Sequence, residues 1–413
     1  MLSRLQMLLF ITALISASCS SDVTSTGGDA SPLMRVDSIG YYSTARVQAI
    51  KDSVLDIFMG SSTMKAPEFR DQFLNAKSGV KLYKVTYSSV IPEKNNAPVT
   101  ATGLMAIPDN VQPGAPIVSY QHGTVFYREW RATNPNGALE VQMMISQFAA
   151  QGYIVICADY FGVPQEDGLP NSYCVPGSTA QACYDMYLAS KQALKNMNIT
   201  TGKLFVNGWS QGGYSTYAFL RKLEGENVPV AGAATASGPS DPMQYVRQLV
   251  YNPTPFAAEW VIPVVSNFIL AYDNYNLTNG YFEQAVKPEY QTVLRDLYAF
   301  KVPYEEFVAK VPHTFDSVYT QKFLDDTRDT TSTFMKALGN AQVYRWRMTT
   351  PLRSFISNRD EGIVAPISRR AADYQLSQGN TNVEIIDAGA NADHRSVYLK
   401  SLINIKPWFD SLR

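Results

Sequence analysis

Histidine and cysteine are scarce in this sequence of 413 residues, which contains three histidines and four cysteines. The histidines are His122, His313 and His394, and no group of His and Cys residues has the spacing of metal ligands. The sequence therefore predicts no zinc site and no other metal centre.

An excess of charge of either sign is also absent. The 35 Lys and Arg residues and the 36 Asp and Glu residues leave a formal net charge of -1. Proteins that bind nucleic acid usually carry a basic surface, so nucleic acid is not an expected partner. Hydrophobic residues make up 46% of the chain, which is enough to bury a large core.

Long uncharged hydrophobic runs are missing beyond the N-terminus, so no transmembrane helix is predicted there. At the N-terminus, Arg4 precedes an apolar run over residues 7–15, and small residues lead to Cys19. This arrangement is typical of an export signal. It resembles a bacterial lipoprotein signal, in which cleavage leaves a lipid-bearing Cys19 and a membrane anchor. Ser16 departs from that pattern, which usually has an aliphatic residue there, so secretion of a soluble protein is the alternative.

The other cysteines lie in two settings. Cys157 is part of the apolar run over residues 153–158 and is expected to be a buried strand residue. Cys174 and Cys183 are close together in a stretch with Pro and Gly residues. An exported protein could oxidise this pair to a disulfide.

Short strand-like runs alternate with helix-like stretches from about Val80 onward. This alternation is typical of the α/β class, a mostly parallel sheet with helices on both faces. Residues 81–88 and 99–107 are predicted to open the sheet as an antiparallel pair. Further strands are predicted over residues 117–120, 154–158, 204–207, 231–236, 352–357 and 383–387. Helices are predicted over residues 139–150, 180–197, 214–223 and 367–378, with a closing helix through Trp408.

Residues 241–350 interrupt this alternation. They are rich in aromatic residues and helical patterns and contain no obvious strand, so they are predicted to be an insertion. The predicted organisation is an export signal over residues 1–19, a polar tether over 20–40, a first core segment over 41–240, the insertion over 241–350, and a second core segment over 351–413.

The segment Gly208-Trp209-Ser210-Gln211-Gly212 directly follows one predicted strand and directly precedes a helical run. It matches the G-x-S-x-G nucleophile elbow in its strand-turn-helix setting. Glycines are needed there because a sharp turn from strand to helix brings neighbouring backbone against the strained serine. Ser210 is therefore the predicted nucleophile.

A serine hydroxyl needs a base to take its proton, and an acid must orient that base. With this elbow the acid and then the base follow the serine along the chain. His394 is the last histidine and follows the last predicted strand, so it is the predicted base. Asp360 follows the preceding strand and is the predicted acid, with Glu361 as its nearest competitor.

Four other residues near the predicted site are not expected to take part in the chemistry. Asp387 and Asp393 lie too close to His394 in sequence to be favoured as the acid, and they are interpreted as loop or cap residues. Asp159 and Tyr160 follow the fourth predicted strand and are interpreted as structural.

An acyl-transfer site also needs two N–H donors that bind the oxyanion. The backbone N–H of Gln211, directly after the nucleophile, is the first expected donor. The segment His122-Gly123-Thr124 resembles the oxyanion loop of the α/β-hydrolases. That resemblance implies that the backbone N–H of Thr124 is the second donor and that Gly123 permits close approach. His122 precedes the elbow, the wrong order for the base, and is expected to brace this loop.

Three segments together resemble the secretory lipase and esterase branch of the α/β-hydrolases. They are residues 119–124 (Ser-Tyr-Gln-His-Gly-Thr), 158–162 (Ala-Asp-Tyr-Phe-Gly) and 208–212, and the resemblance extends from about residue 80 to the C-terminus. It implies a helical cap between the sixth and seventh strands, where residues 241–350 lie. Five aromatic residues are expected either to line an acyl pocket or to form the core of the cap: Trp260, Phe268, Tyr272, Tyr275 and Tyr281.

The expected function is an exported serine hydrolase that cleaves small-molecule or lipid esters through an acyl-enzyme, without a cofactor. No protein partner is inferred. Alternatives are a serine peptidase or amidase on the same fold, a carbohydrate esterase that removes acetyl or feruloyl groups, and a non-catalytic binding protein. Trp209 and Gln211 also occur in peptidases of the prolyl-oligopeptidase kind, but roughly sixty residues before the first predicted strand are too few for a propeller.

Overall fold

The computed structural model of the protein describes residues 31–60, 62–163, 168–252 and 259–413. The predicted export signal and most of the predicted tether lie outside the described residues. Residues 32–413 belong to one compact unit. Within the described ranges, no helix is both long enough and apolar enough to cross a membrane.

The described strands form one nine-stranded sheet in the order β1-β2-β3-β5-β4-β6-β7-β8-β9. The strands are β1 Leu33–Tyr42, β2 Val80–Ile91, β3 Ala97–Pro108, β4 Ala115–Gln121, β5 Ile154–Ala158, β6 Thr201–Trp209, β7 Gly232–Ala236, β8 Leu352–Ile356 and β9 Val383–Asp387. The first three strands and β5 pair antiparallel to one another, and β4 to β9 pair in parallel. The mostly parallel sheet predicted from the sequence is confirmed.

Helices flank this sheet and bury it. They are α1 Thr44–Ala49, α2 Leu55–Met59, α3 Pro67–Arg70, α4 Leu139–Gln147, α5 Pro176–Asn196, α6 Gln211–Gly225, α7 Pro242–Tyr251, α8 Val261–Asn274, α9 Tyr281–Ala285, α10 Pro288–Tyr298, α11 Tyr304–Lys310, α12 Phe315–Val318, α13 Gln321–Arg328, α14 Thr333–Asn340, α15 Ala365–Ser368, α16 Arg370–Ser377 and α17 His394–Ser411. One core contains side chains of α5, α6 and the insertion, and the other contains side chains of α1, α2, α4 and α17. Ile117 and Val118 of β4 point into different cores, as alternate residues of a strand must.

The end of the predicted tether is wrong, because residues 33–42 form strand β1 rather than a polar linker. This strand lies at the edge of the sheet and pairs only with β2. Irregular pairing at Leu33/Arg35 and at Ser38/Gly40 breaks the alternation of buried and exposed residues. A strand with such bulges has little of the period of two by which strands are recognised in a sequence.

The described residues of the insertion between β7 and β8 are mainly helical. It contains α7 to α14, and its only strand-like pairing within the described residues is the isolated bridge between Val286 and Tyr319. Four of the five aromatic residues singled out in the sequence are buried: Phe268, Tyr272, Tyr275 and Tyr281. Phe268 packs edge-on against Tyr173, and Tyr281 stacks on Phe334. These four residues therefore belong to the core that joins the insertion to the sheet.

The cysteines outside the N-terminal segment are all buried. Cys157 lies in β5, as predicted. Cys174 and Cys183 are both free thiols, so the disulfide considered from their spacing is not formed. Burial raises the pKa of both thiols, which makes their reactive thiolate forms unfavourable.

Candidate active site

Ser210 lies in the sharp turn between β6 and α6. Its backbone has φ 58° and ψ −123°, a conformation that costs energy for a residue with a side chain. Its N–H donates to the carbonyl of Ala236 at 2.9 Å, which fastens the turn to the end of β7. Its carbonyl accepts from the N–H groups of Gly213 and Tyr214 at 2.9 and 3.3 Å. The turn is thus fixed on both sides of the serine.

The glycines around Ser210 are required by close backbone contacts. A Cβ atom on Gly212 would lie 1.8 Å from the carbonyl oxygen of Gln121, and one on Gly208 would lie 2.2 Å from the carbonyl oxygen of Gly212. Both distances are far shorter than any van der Waals contact. The steric reason given for the sequence motif therefore holds in the structure.

His394 and Asp360 meet in a buried hydrogen-bonded pair. His394 begins α17, and its Nδ1 lies 2.9 Å from Oδ2 and 3.1 Å from Oδ1 of Asp360. A carboxylate accepts, so Nδ1 carries the proton and Nε2 is the nitrogen available as a base. Asp360 is fully buried and also accepts from the hydroxyl of Ser237 at 2.6 Å and from the N–H groups of Gly362 and Ile363 at 2.9 and 2.7 Å. These bonds fix the orientation of the carboxylate.

The other carboxylates near His394 have different partners. Glu361 accepts the backbone N–H of His394 at 2.8 Å, so it holds the main chain and not the ring. Asp393 is the N-cap of α17 and accepts the N–H of Ser396 at 3.0 Å. Asp387 accepts a backbone N–H of the following loop at 2.8 Å. The interpretation of Asp387 and Asp393 as loop or cap residues agrees with these contacts.

The pKa of His394 is set by two opposing effects. Burial acts to lower the pKa, because it removes water from the charged imidazolium. The charge and hydrogen bond of Asp360 act in the other direction, and the charges of Glu361 and Asp393 add to them. The net result is a pKa above the ordinary value, so the site favours the protonated form that a base reaches in the transition state.

Two tryptophans hold the ring of His394. The Trp209 ring lies 4.8 Å from it and the Trp260 ring 5.3 Å, measured between ring centroids. The indole N–H of Trp209 also donates to the carbonyl of His394 at 3.0 Å. Trp209 directly precedes Ser210, so these contacts hold the imidazole beside the elbow. Trp260 belongs to the insertion, which therefore reaches the predicted base.

The loop at residues 122–124 is braced by side chains, as expected for His122. Nδ1 of His122 lies 2.8 Å from the carbonyl oxygen of Gly123, and a carbonyl can only accept, so Nδ1 is the donor. Tyr160 packs on the His122 ring at 4.3 Å between centroids and donates its hydroxyl to the His122 carbonyl at 3.1 Å. Asp159 is fully buried and accepts from the hydroxyl of Thr102 at 2.6 Å. Both residues thus have structural contacts, as predicted.

The two predicted oxyanion donors are free in the described part of the chain. Neither the N–H of Thr124 nor that of Gln211 has a hydrogen-bond acceptor among the described residues. The hydroxyl of Thr124 instead bonds to that of Tyr173 at 2.9 Å. An unpaired N–H group is what an oxyanion site needs, since the donor must be available when charge develops on the substrate.

Known proteins were compared at the level of sequence and of structure. No protein-family model matches the sequence, and no curated protein matches it. Solved structures do match. The rice cell wall degrading esterase LipA from Xanthomonas oryzae has a TM-score of 0.79 at 20% identity, over 93% of this chain and 99% of that chain. Candida antarctica lipase A has a TM-score of 0.60 at 16% identity, over 76% of this chain and 73% of that chain.

The chain has the α/β-hydrolase fold. Within this α/β-hydrolase fold, Ser210 follows β6, Asp360 follows β8 and His394 follows β9. The carboxyl ends of parallel strands lie at one edge of the sheet, which is where ligands of open α/β sheets bind. The three predicted residues therefore come from the same edge although they are far apart in the sequence.

A cleft of about 930 Å³ lies next to His394 at this edge of the α/β-hydrolase fold. Trp260, Glu361 and Asp393 are part of its wall, and each of them lies beside or contacts His394. The rest of the described wall contains aromatic rings and charges of both signs, including Tyr251, Tyr304, Glu259, Arg328 and Arg395. The same wall also contains aliphatic side chains, including Leu249, Val261 and Leu324, so it offers both polar and apolar contacts.

Several contacts of the site were not predicted from the sequence. Ser237 donates to Asp360, and Trp260 packs on His394. Glu140 accepts the backbone N–H of Gly123. No local pattern marks Ser237 or Glu140, and the aromatic pattern that includes Trp260 does not indicate its contact with His394. Each residue meets its partner only after distant elements have packed together.

Proposed function

We propose that the protein is a serine hydrolase that cleaves carboxylic esters through an acyl-enzyme intermediate. The observation that carries the proposal is the buried Asp360–His394 pair beside the strained elbow that presents Ser210. The α/β-hydrolase fold, shared with an esterase and a lipase, supports it.

In the first step, Nε2 of His394 takes the proton of the Ser210 hydroxyl as its oxygen attacks the ester carbonyl. Asp360 keeps Nδ1 protonated and stabilises the imidazolium that forms. The N–H groups of Gln211 and Thr124 bind the negative oxygen of the tetrahedral intermediate. The intermediate collapses when His394 gives its proton to the leaving alcohol, which leaves the acyl group on Ser210.

In the second step, water replaces the alcohol. His394 takes a proton from this water, which attacks the acyl carbonyl, and the same N–H groups bind the second oxyanion. When this intermediate collapses, His394 returns the proton to the oxygen of Ser210 and the carboxylic acid leaves. Every proton in the cycle passes through His394, so the proposal requires no cofactor.

The decisive experiment is hydrolysis of p-nitrophenyl esters from acetate to palmitate by the wild type and by Ser210→Ala. The variant should lose about 10⁶-fold in kcat, because the covalent step depends on this oxygen. Ser401→Ala is the control, since Ser401 is also buried and, within the described ranges, its hydroxyl donates to the carbonyl of Tyr398 in its own helix. A fluorophosphonate should label the wild type and not Ser210→Ala. Full esterase activity in Ser210→Ala would refute the proposal.

A carbohydrate ester is the second candidate substrate, and the polar and aromatic groups of the cleft beside His394 support it. Sugar hydroxyl groups both donate and accept hydrogen bonds, which fits a wall with carboxylates and arginines, and aromatic rings can pack on sugar faces. LipA, which shares the fold, is described as degrading rice cell walls. Release of acetate or ferulate from acylated polysaccharide, compared with cleavage of p-nitrophenyl palmitate and of an amide, separates this candidate from a lipase and from a peptidase.

We propose in addition that the protein is exported and carries lipid on Cys19. The support is the order of Arg4, the apolar run over residues 7–15 and Cys19. The test is labelling with a palmitate analogue in a bacterial host. The wild type should be labelled in the membrane fraction and Cys19→Ala should not. A shortened, unlabelled wild-type protein in the medium would show simple secretion instead.

A further inference from the structure

Glu140 is a buried carboxylate to which the proposed mechanism gives no role. It lies in the first turn of α4 and is only 8% exposed. Its Oε1 and Oε2 accept the backbone N–H of Gly123 at 3.0 and 3.2 Å. Its Oε2 also accepts the hydroxyl of Tyr120 at 2.6 Å. The carboxylate thus contacts the predicted oxyanion loop directly.

The bond from Glu140 completes a set that fixes the backbone before Thr124. The carbonyl of His122 accepts from Tyr160, the N–H of Gly123 donates to Glu140, and the carbonyl of Gly123 accepts from the ring of His122. The carbonyl of Gly123 and the N–H of Thr124 belong to one planar peptide unit and point in opposite directions. Fixing Gly123 on both sides therefore fixes the direction of the Thr124 N–H.

Glu140 also connects this loop to the helix that carries His394. The backbone carbonyl of Glu140 accepts the hydroxyl of Tyr398 in α17 at 2.8 Å. The Tyr398 ring in turn stacks on Trp209 at 5.2 Å between centroids. Burial raises the pKa of Glu140, and the hydrogen bonds that it accepts from Tyr120 and Gly123 oppose this effect. The loop, the elbow and the helix of the predicted base therefore share one buried network.

We propose that Glu140 is a positioning residue that aims the Thr124 N–H at the oxyanion through its bond to Gly123. This inference rests on the proposed ester hydrolysis. The oxyanion exists only in the transition state and the tetrahedral intermediates, so misplacing its donor lowers kcat and leaves KM nearly unchanged. Losing one such donor typically lowers kcat by about 10²- to 10³-fold.

The test compares two variants that keep a polar side chain in the buried position. Glu140→Asp keeps the carboxylate but shortens the side chain by about 1.5 Å, so the 3.0 Å bond to Gly123 breaks. Glu140→Gln keeps the length and one acceptor oxygen but removes the charge. We expect kcat for p-nitrophenyl butyrate to fall about 10²-fold in Glu140→Asp and to stay within about fivefold of wild type in Glu140→Gln, with KM within about threefold in both.

Glu224→Asp is the matched control. Glu224 is a partly buried carboxylate that accepts the backbone N–H groups of Thr349 and Thr350 at 3.0 and 2.9 Å, away from the elbow. Its shortening should lower the melting temperature without changing kcat. Affinity for an alkyl boronic acid, which forms a tetrahedral adduct on the serine, should fall in Glu140→Asp in parallel with kcat and stay unchanged in Glu224→Asp.

The possible results distinguish failure of the positioning role of Glu140 from failure of the proposed ester hydrolysis. Wild-type protein that does not hydrolyse any ester of the series overturns both. Wild-type turnover together with normal kcat in folded Glu140→Asp overturns the positioning role alone. If Glu140→Asp does not fold, Glu140→Gln still tests the inference. This variant keeps the acceptor oxygen, so a fall in kcat beyond about tenfold in the folded protein would overturn it.

Discussion

Among the residues of the site, His394 is subject to opposing electrostatic effects. It is buried, and Asp360, Glu361 and Asp393 all act on its charge. Burial alone would lower its pKa, whereas the three carboxylates raise it, and the carboxylates prevail. Asp360 contributes most to raising the pKa, because it adds a hydrogen bond to its charge, with its Oδ2 2.9 Å from Nδ1.

The activity of the proposed hydrolase should depend on this pKa with a definite sign. Only the neutral ring can accept a proton, so kcat/KM should rise with pH through a pKa above about 6.5. Asp360→Asn removes the main charge that raises the pKa, and burial then prevails. The acidic limb of the pH–rate profile should move to lower pH, and the plateau should fall about 10⁴-fold because the ring loses its correct tautomer.

The profile is measured with p-nitrophenyl butyrate in buffers of constant ionic strength. Asp387→Asn is the control, because the Asp387 side chain accepts the backbone N–H of Gly389 in the next loop and has no bond to His394 among the described residues. Its profile should match that of the wild type. An acidic limb that moved to higher pH in Asp360→Asn would show that Asp360 does not set the pKa of His394.

At the scale of residues, the sequence predicts those site residues whose order along the chain is restricted by the proposed mechanism. The elbow motif marks Ser210, and the chain order of acid and base then points to Asp360 and His394, which the structure places in one hydrogen-bonded pair. Chain order could not separate Asp360 from its neighbour Glu361. Only the backbone geometry shows that Glu361 binds a main-chain N–H while Asp360 reaches the ring.

At the scale of elements, the ends of two short parallel strands were predicted best. Residues 154–158 and 383–387 match β5 and β9 at both ends, because each is a short run that tertiary contacts neither extend nor interrupt. Strands β2 and β3 extend beyond their predicted ends because they pair along their whole length. The predicted helix over residues 367–378 is instead two helices, α15 and α16, which meet at Arg369. Apolar spacing does not report such a break.

The close approach of Gly212 to β4 gives a prediction about the position of helix α6. Gly212→Ala places a Cβ atom 1.8 Å from the carbonyl oxygen of Gln121, at the end of β4. The start of α6 must then move away from β4, and the oxyanion loop that follows β4 moves with it. We expect a loss of about 1 to 3 kcal/mol in the free energy of unfolding and a fall in kcat of at least about tenfold.

Gly225→Ala is the matched control in the same helix. A Cβ atom there would meet nothing within 4 Å, so the change should stabilise the helix by up to about 1 kcal/mol and leave kcat unchanged. Chemical denaturation and ester kinetics on both variants measure the two effects. Equal stability of the Gly212→Ala protein and the wild type would show that this close approach does not exist in solution.

At the scale of the whole molecule, one sheet joins two cores and carries the site at one edge. The insertion contributes to the first core and also supplies Trp260 to the site. At one end of the strand order, β1 pairs with the outer edge of β2 at eight positions. Strand β1 is thus a part of the fold that the sequence placed in a linker.

Two truncated chains test whether β1 is part of the fold. A chain that begins at Ser31 keeps the whole compact unit of residues 32–413. It should therefore have nearly the melting temperature and kcat of the longer protein. A chain that begins at Ser43 lacks β1 and leaves the outer edge of β2 without its partner. An unpaired strand edge is a template for pairing with other chains, so we expect a lower melting temperature and concentration-dependent aggregation.

The kcat of the chain that begins at Ser43 shows whether the loss of β1 changes the site or only the stability of the fold. Ser210, Asp360 and His394 lie after β6, β8 and β9, which are separated from β1 by several strands in the sheet order. Molecules that remain folded should therefore keep a near-normal kcat per fluorophosphonate-labelled site while the labelled fraction falls. Calorimetry and light scattering measure the stability and aggregation of both chains. Equal melting temperatures would mean that β1 contributes no stability and that the predicted tether over residues 20–40 has no part in the fold.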